Sequence, residues 1–327
     1  MHLRNANYQE KHITSFAELC QKIGGFRDKI VIICGATATG KSALALKLAS
    51  TINGVVINAD SMQVYKEIPV ITAQPVLRVQ KMVSHKLYGI ISCDQGYDMV
   101  NQEVTLNNFT VAKWVTLAQE QIDECFKQCK VPIITGGTGM YIHALVNGFA
   151  KIPEISKETW SQLSEIIKQS KQQDDALYKL LEEYDPVLVK RMTIGDKQRI
   201  VRALAVFLET SIPLSTWQTI NRKHYEIGKF FIVWVSLERS EIYSNINQRF
   251  LGMVKNGVIE EIKLLITHCI YLPKAIGILE IKRYVDGLIT LPTMISKVQQ
   301  LTRNYAKRQI TWFNNKLQYD AVVSKYL

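Results

Sequence analysis

No run of about 18 apolar residues, the length needed to cross a bilayer, occurs in the 327-residue sequence. The opening stretch MHLRNANYQEKHITSF also lacks the apolar core of a secretory signal. The sequence therefore reads as cytoplasmic, without a membrane partner. Internal repeats and low-complexity linkers are absent too. Cysteine is sparse: Cys20, Cys34, Cys93, Cys125, Cys129 and Cys269 are scattered through the chain. A chain of this size does not depend on disulfides, so reduced thiols are expected. Cys125 and Cys129 stand four apart on an expected helix, but no second Cys or His pair at ligand spacing accompanies them, which argues against zinc. Acidic residues are the scarcer charge, 29 against 40 basic, a formal net of +11. Such a balance favours a polyanionic partner. From residue 274 onward nine basic residues face only three acidic ones, so more than half of the excess sits in the last sixth of the chain.

What is plentiful is apolar: 47% of residues, enough for a large core. KIVIIC (29–34), VVIN (55–58), VPIIT (131–135) and FFIVWVSL (230–237) are β-branched runs of the kind buried in parallel sheets. Helical patterns follow the glycine loop after residue 34 and cover 111–129, a stretch after GGTG, and about 292–314. A short helix over 15–22 is also expected. Strands alternating with helices imply a parallel α/β sheet. Between 151 and 208 the texture is polar and helical with no strand candidate. The chain thus divides into an N-terminal extension (1–28), the first part of a P-loop α/β core (29–150), an inserted all-helical lobe (151–210), and a core completion with basic C-terminal helices (211–327).

The segment Gly35, Ala36, Thr37, Ala38, Thr39, Gly40, Lys41, Ser42 fits G-x-x-x-x-G-K-[ST] and lies between a buried-type strand and a helix, the context that motif requires. Gly35 and Gly40 allow backbone N–H groups to turn inward around phosphate oxygens, and the helix N-terminus adds its positive dipole end. Lys41 supplies a point charge, and the Ser42 hydroxyl a ligand for Mg²⁺. Strand 55–58 runs into ADSMQVY, placing Asp60 at the carboxyl edge of the sheet, where open α/β folds bind ligands. Spacing alone leaves three roles for Asp60: a metal held through water, a proton acceptor, or a helix cap.

GATATGKSALALKLA, NADSMQVY, VPIITGGTGMYIHALVNG, DKQRIVRALAVF, NQRFLGMVKNGVIEEI and YAKRQITWF occur in an order and spacing that resemble the tRNA dimethylallyltransferases. The matching blocks run from about residue 30 to 313. The resemblance implies a P-loop fold and a prenyl transfer from dimethylallyl diphosphate to N6 of the adenine 3′ of the anticodon. It implies a diphosphate gripped by residues 35–42, with Mg²⁺ at Ser42 and catalysis by Asp60, Lys41, Thr138 and Arg249. Asp60 would be the general base, Thr138 a substrate contact, and Arg249 the support of the leaving diphosphate. The implied contacts to the tRNA anticodon stem-loop are Asp60, Ser61, Met62, Gln63, Gln198, Arg199, Ile200, Val201, Arg202, Lys307, Arg308, Gln309 and Trp312. A monomer is expected.

The sequence departs from the family pattern at several places. EIPVITAQP puts Ile71 where glycine is usual and Gln74 where lysine is usual. HKLYG (85–89) replaces HHLID, about a dozen residues are inserted between 93 and 108, and Asn245, Ala205, Ser211 and Ile278 replace arginine, glutamate, glycine and tyrosine. These changes spare the positions assigned to chemistry and fall on supporting or RNA-facing ones, which predicts weakened phosphate contacts. Three other readings compete: a P-loop kinase or NTPase, a prenyltransferase of free adenine nucleotides, and a non-catalytic RNA-binding protein. His85 and His143 lack a visible carboxylate or metal partner and read as structural.

Overall fold

The computed structural model describes residues 12–24, 28–93, 109–150, 152–170, 175–220, 224–269 and 272–324. The insertion expected after residue 93 lies largely outside the described residues. The chain forms two compact units, Met1–Val146 with Tyr225–Leu327, and Asn147–His224.

In the first unit seven strands make one all-parallel sheet: β1 (His12–Ile13), β2 (Ile30–Gly35), β3 (Gly54–Asn58), β4 (His85–Lys86), β5 (Val131–Gly136), β6 (Phe230–Val235) and β7 (Ala321–Val323). Their order is β1-β7-β6-β2-β5-β3-β4. All six residues of β2 are buried, as expected of a central parallel strand covered on both faces. Cys34 lies opposite Gly136 and Trp234, and Thr135 opposite Asn58. The carboxyl ends of β2, β3, β5 and β6 therefore open onto one edge.

Helices of this unit are α1 (Phe16–Gly24), α2 (Lys41–Ile52), α3 (Leu77–Met82), α4 (Val111–Lys127) and α5 (Gly139–Asn147). Helix α4 starts where Thr110 Oγ1 accepts from the Lys113 N–H at 3.3 Å, and Trp114, Ala118, Ile122 and Cys125 give it one buried stripe. Three strands lie outside the sequence expectation: β1, β7 and the two-residue β4, which pairs with β3. The segment read as an extension supplies β1 and α1, whose Ile13, Leu19 and Ile23 pack into the same apolar cluster as Val31 and Ile33. At the other end, where only helix was expected, β7 pairs with β6.

The second unit is all-helical: α6 (Lys157–Ser170), α7 (Ala176–Tyr184), α8 (Pro186–Val189), α9 (Lys197–Thr210) and α10 (Leu214–Thr219). Leu163, Leu181, Leu188, Ile200 and Leu204 form its core. Asp185, 1% exposed, accepts from the Leu188 N–H at 2.9 Å and the Ser215 N–H at 2.8 Å. It thus caps α8 and pins α10. Ser211 ends α9 at φ 56°, a left-handed position that glycine fills with less strain.

Back in the first unit follow α11 (Arg239–Lys255), α12 (Val258–His268), α13 (Ile278–Val285) and α14 (Leu291–Lys316). The buried residues of α14 are Met294, Val298, Ala306, Gln309 and Phe313, a helical stripe that leaves Lys307 and Arg308 exposed. Among the described residues no helix is long and apolar enough to cross a membrane.

Candidate active site

The P-loop joins β2 to α2. A Cβ on Gly35 would stand 2.7 Å from the Val235 carbonyl oxygen, so the close approach of β6 requires glycine there. Gly40 turns the chain into α2 at φ 89°. Inside the loop, Thr39 Oγ1 and Lys41 Nζ each donate to the Ala36 carbonyl at 2.9 Å. Side chains from elsewhere brace it. Arg249 Nη2 of α11 donates to Thr37 Oγ1 at 2.7 Å, Asn245 Nδ2 to the Ala38 carbonyl at 3.2 Å, and Gln309 Oε1 accepts from the Thr37 N–H at 2.8 Å. Asn245, a departure from the family pattern, therefore holds the loop apex, where Ala38 sits at φ 64°.

Asp60 follows β3 in a turn built by its neighbours. Asn58 Oδ1 accepts from the Asp60 N–H at 2.8 Å, and Asn58 Nδ2 donates to the Asp60 and Leu87 carbonyls at 3.0 Å. Asp60 Oδ1 accepts from the Met62 N–H at 2.9 Å. This is an Asx turn with no helix after it, so the helix-cap role is removed. Trp114 Nε1 donates to the Asn58 carbonyl at 2.8 Å and stacks on Tyr141 with ring centroids 4.5 Å apart. The loop thus rests on a rigid aromatic base.

Thr138 braces the same turn. Its N–H donates to the Ala59 carbonyl at 3.1 Å, and its Oγ1 accepts from the Ser61 N–H at 2.9 Å and donates to Ser61 Oγ at 3.2 Å. It does not line the cavity described next. Thr138 thus holds Ser61, the residue next to Asp60, in place.

A cavity of about 700 Å³ brings the cradle and the turn together. Thr37, Lys41, Ser42 and Arg249 line it alongside Asp60, Ser61, Met62 and Gln63. Ile71, Phe250, Met253, Ala275 and Val298 also line it and belong to one apolar cluster. Its wall therefore offers both phosphate-binding and hydrocarbon-binding surface. Burial lowers the Lys41 pKa to about 8, against the raising field of Asp60. Burial likewise lowers the Arg249 pKa, again opposed by Asp60. Thr135 lines the cavity too, and its buried Oγ1 has no hydrogen-bond partner.

Not every implied RNA contact faces outward. Gln198, Arg199 and Arg202 are exposed on α9, but Ile200 is 2% exposed in the core of its own unit. Lys307 and Arg308 are exposed on α14, whereas Gln309 is turned inward and 5% exposed. Trp312 packs over Gly139, where a Cβ would meet its ring at 2.2 Å. Of the departures, Gln74 Nε2 donates inward to the Tyr65 carbonyl at 2.7 Å, and Ile71 is buried. His85 Nδ1 lies 2.7 Å from the Val83 carbonyl. The His143 ring meets Trp312 edge-on with centroids 6.1 Å apart, so both histidines have structural partners. Sequence reasoning missed Asn58, the bond from Gln309 to the P-loop and the apolar wall. The N-A-D spacing signalled the first, because asparagine two residues before a turn residue favours an Asx turn.

Fold and site together define a P-loop α/β protein that presents a phosphate cradle, a carboxylate and an apolar wall in one cavity. The family model described as IPP transferase matches residues 63–316, and the chain belongs to that family. It is 39% identical over 302 residues to the tRNA dimethylallyltransferase of Wolbachia pipientis subsp. Culex pipiens (strain wPip), covering 91% of this chain and 96% of that protein. It is 35% identical over 330 residues to the tRNA dimethylallyltransferase of Rickettsia conorii, covering 99% and 86%. Among solved structures it resembles the full-length tRNA isopentenylpyrophosphate transferase of Bacillus halodurans, with 29% identity, a TM-score of 0.60 and coverage of 91% and 89%.

Proposed function

We propose that the chain transfers a dimethylallyl group from dimethylallyl diphosphate to N6 of the adenine 3′ of the anticodon in tRNA, releasing diphosphate. The observation that carries this reading is the placement of Asp60 in one cavity with the P-loop, Arg249 and an apolar wall. The diphosphate sits in the loop beside Lys41 and Arg249, and the hydrocarbon lies against Phe250 and Met253. As the allylic C–O bond breaks, its electron pair leaves with the diphosphate. Lys41, Arg249 and backbone N–H groups stabilise that growing charge. The adenine N6 lone pair forms the new C–N bond, and Asp60 takes the N6 proton.

Mg²⁺ fits the donor set: the exposed Ser42 hydroxyl is a hard oxygen ligand at the start of α2. No group of three His, Cys, Asp or Glu suited to a metal occurs among the described residues, so the diphosphate oxygens and water would complete the coordination. When bound, the ion neutralises charge on the leaving group.

Exposed Gln198, Arg199 and Arg202 on α9, with Lys307 and Arg308 on α14, supply RNA contacts suited to a single-stranded loop, whose bases are cheap to splay out. Competition between AMP and an anticodon stem-loop for labelled dimethylallyl diphosphate tests the acceptor. The stem-loop is expected to take the label at least a hundredfold faster, given backbone contacts AMP lacks. Equal labelling of AMP, or turnover of ATP with no prenyl transfer, would refute the reading.

A further inference from the structure

Gln309 is the single polar residue among the buried positions of α14. A buried carboxamide must satisfy both its acceptor and its donors, and this one does so by bridging two loops. Oε1 accepts from the Thr37 N–H at 2.8 Å. Nε2 donates to the Gly137 carbonyl at 2.8 Å. The Tyr305 phenol, one turn back, also interacts with its side chain.

The bridge explains two further features. A Cβ on Gly137 would stand 2.2 Å from Gln309 Nε2, and one on Gly139 would meet Trp312 at 2.2 Å. The glycines at 137 and 139 therefore let α14 seat against the loop after β5. Thr37, in turn, is held from two sides: its N–H by Gln309 and its Oγ1 by Arg249. With the amide committed outward, residue 37 keeps a single orientation, and Arg249 stays aimed at the loop.

We infer that Gln309 is a positioning residue for the diphosphate, fixing the Thr37 end of the P-loop, and that it does not read RNA. Its neighbours Lys307 and Arg308 occupy the exposed face, while Gln309 faces the sheet. The inference rests on the reading of the loop as the diphosphate site.

Gln309→Met keeps the side-chain length and removes both hydrogen bonds. The expected result is a rise of roughly tenfold in the Kd for magnesium pyrophosphate, the worth of about one hydrogen bond, with less than a twofold change for an anticodon stem-loop. In turnover, KM for dimethylallyl diphosphate rises while KM for tRNA holds. Gln309→Glu, which keeps an acceptor for the Thr37 N–H and loses the donor to Gly137, falls between. Thermal melts of both variants report the folded fraction. The inference is overturned if pyrophosphate affinity is unchanged while stem-loop affinity falls. It is equally overturned if both KM values hold and only the active fraction drops, the mark of a merely structural residue. Failure of the wild type to bind pyrophosphate would remove the diphosphate reading itself, and the role of Gln309 with it.

Discussion

At the scale of residues, Lys41 carries the clearest pH signature. Free lysine titrates near 10.4, and burial brings this one to about 8. Below pH 8 the ammonium is present in the empty cavity; above pH 8 the empty protein loses it. A diphosphate restores the charged form, so binding at pH 9 should take up a proton that binding at pH 7 does not. Calorimetry in buffers of different ionisation heat measures that uptake, and Lys41→Arg should abolish the difference between the two pH values. An uptake unchanged by the arginine would assign the proton elsewhere.

Thr135 offers a test of opposite character. Its buried hydroxyl lacks a partner, and such a group costs on the order of 1–3 kcal/mol. Thr135→Val keeps the shape and should raise stability by about 1 kcal/mol in urea melts. A loss of that size would show that the hydroxyl is bonded after all.

At the scale of elements, strands β2, β3, β5 and β6 and helices α2, α4 and α14 were legible because each is long enough to show its period. Strands β1, β4 and β7 have two or three residues each, too few for any alternation. Their pairing is decided by partners distant in sequence. The same holds for Gln309, whose bond to Thr37 spans 272 positions, while the local pattern YAKRQITWF offers only a basic helix. Asp60 was legible as a site residue, but not the bracing of its turn, because that depends on Asn58 reaching the Leu87 carbonyl and on Thr138 bonding Ser61, 77 positions away. The helical unit carries its own prediction. Asp185→Asn removes one of two charged acceptors that cap α8 and hold α10, at a cost of about 1–3 kcal/mol. Hydrogen exchange should accelerate within Asn147–His224 and leave the sheet unchanged. Uniform acceleration across both units would mean that they unfold as one.

At the scale of the whole molecule, the net charge of +11 suits a polyanion, but only the exposed cations near the proposed contacts should set its affinity. If Arg199, Arg202, Lys307 and Arg308 each neutralise one phosphate, log K against log salt should fall with a slope of about −3. Replacing any one by alanine should reduce the magnitude of that slope by about 0.7. A slope near zero would separate the basic surface from RNA binding.

The central claim, that Asp60 accepts a proton from an adenine amine beside a cradled prenyl diphosphate, meets its most direct test in one assay. The wild type and Asp60→Ala are incubated with Mg²⁺, unmodified tRNA and labelled dimethylallyl diphosphate, and the label is located by mass spectrometry. The account predicts label on N6 of the adenine 3′ of the anticodon, with the rate cut by roughly 10²–10⁴ in the variant and stem-loop affinity retained. Label absent from the RNA, or an Asp60→Ala rate equal to the wild type, would contradict it.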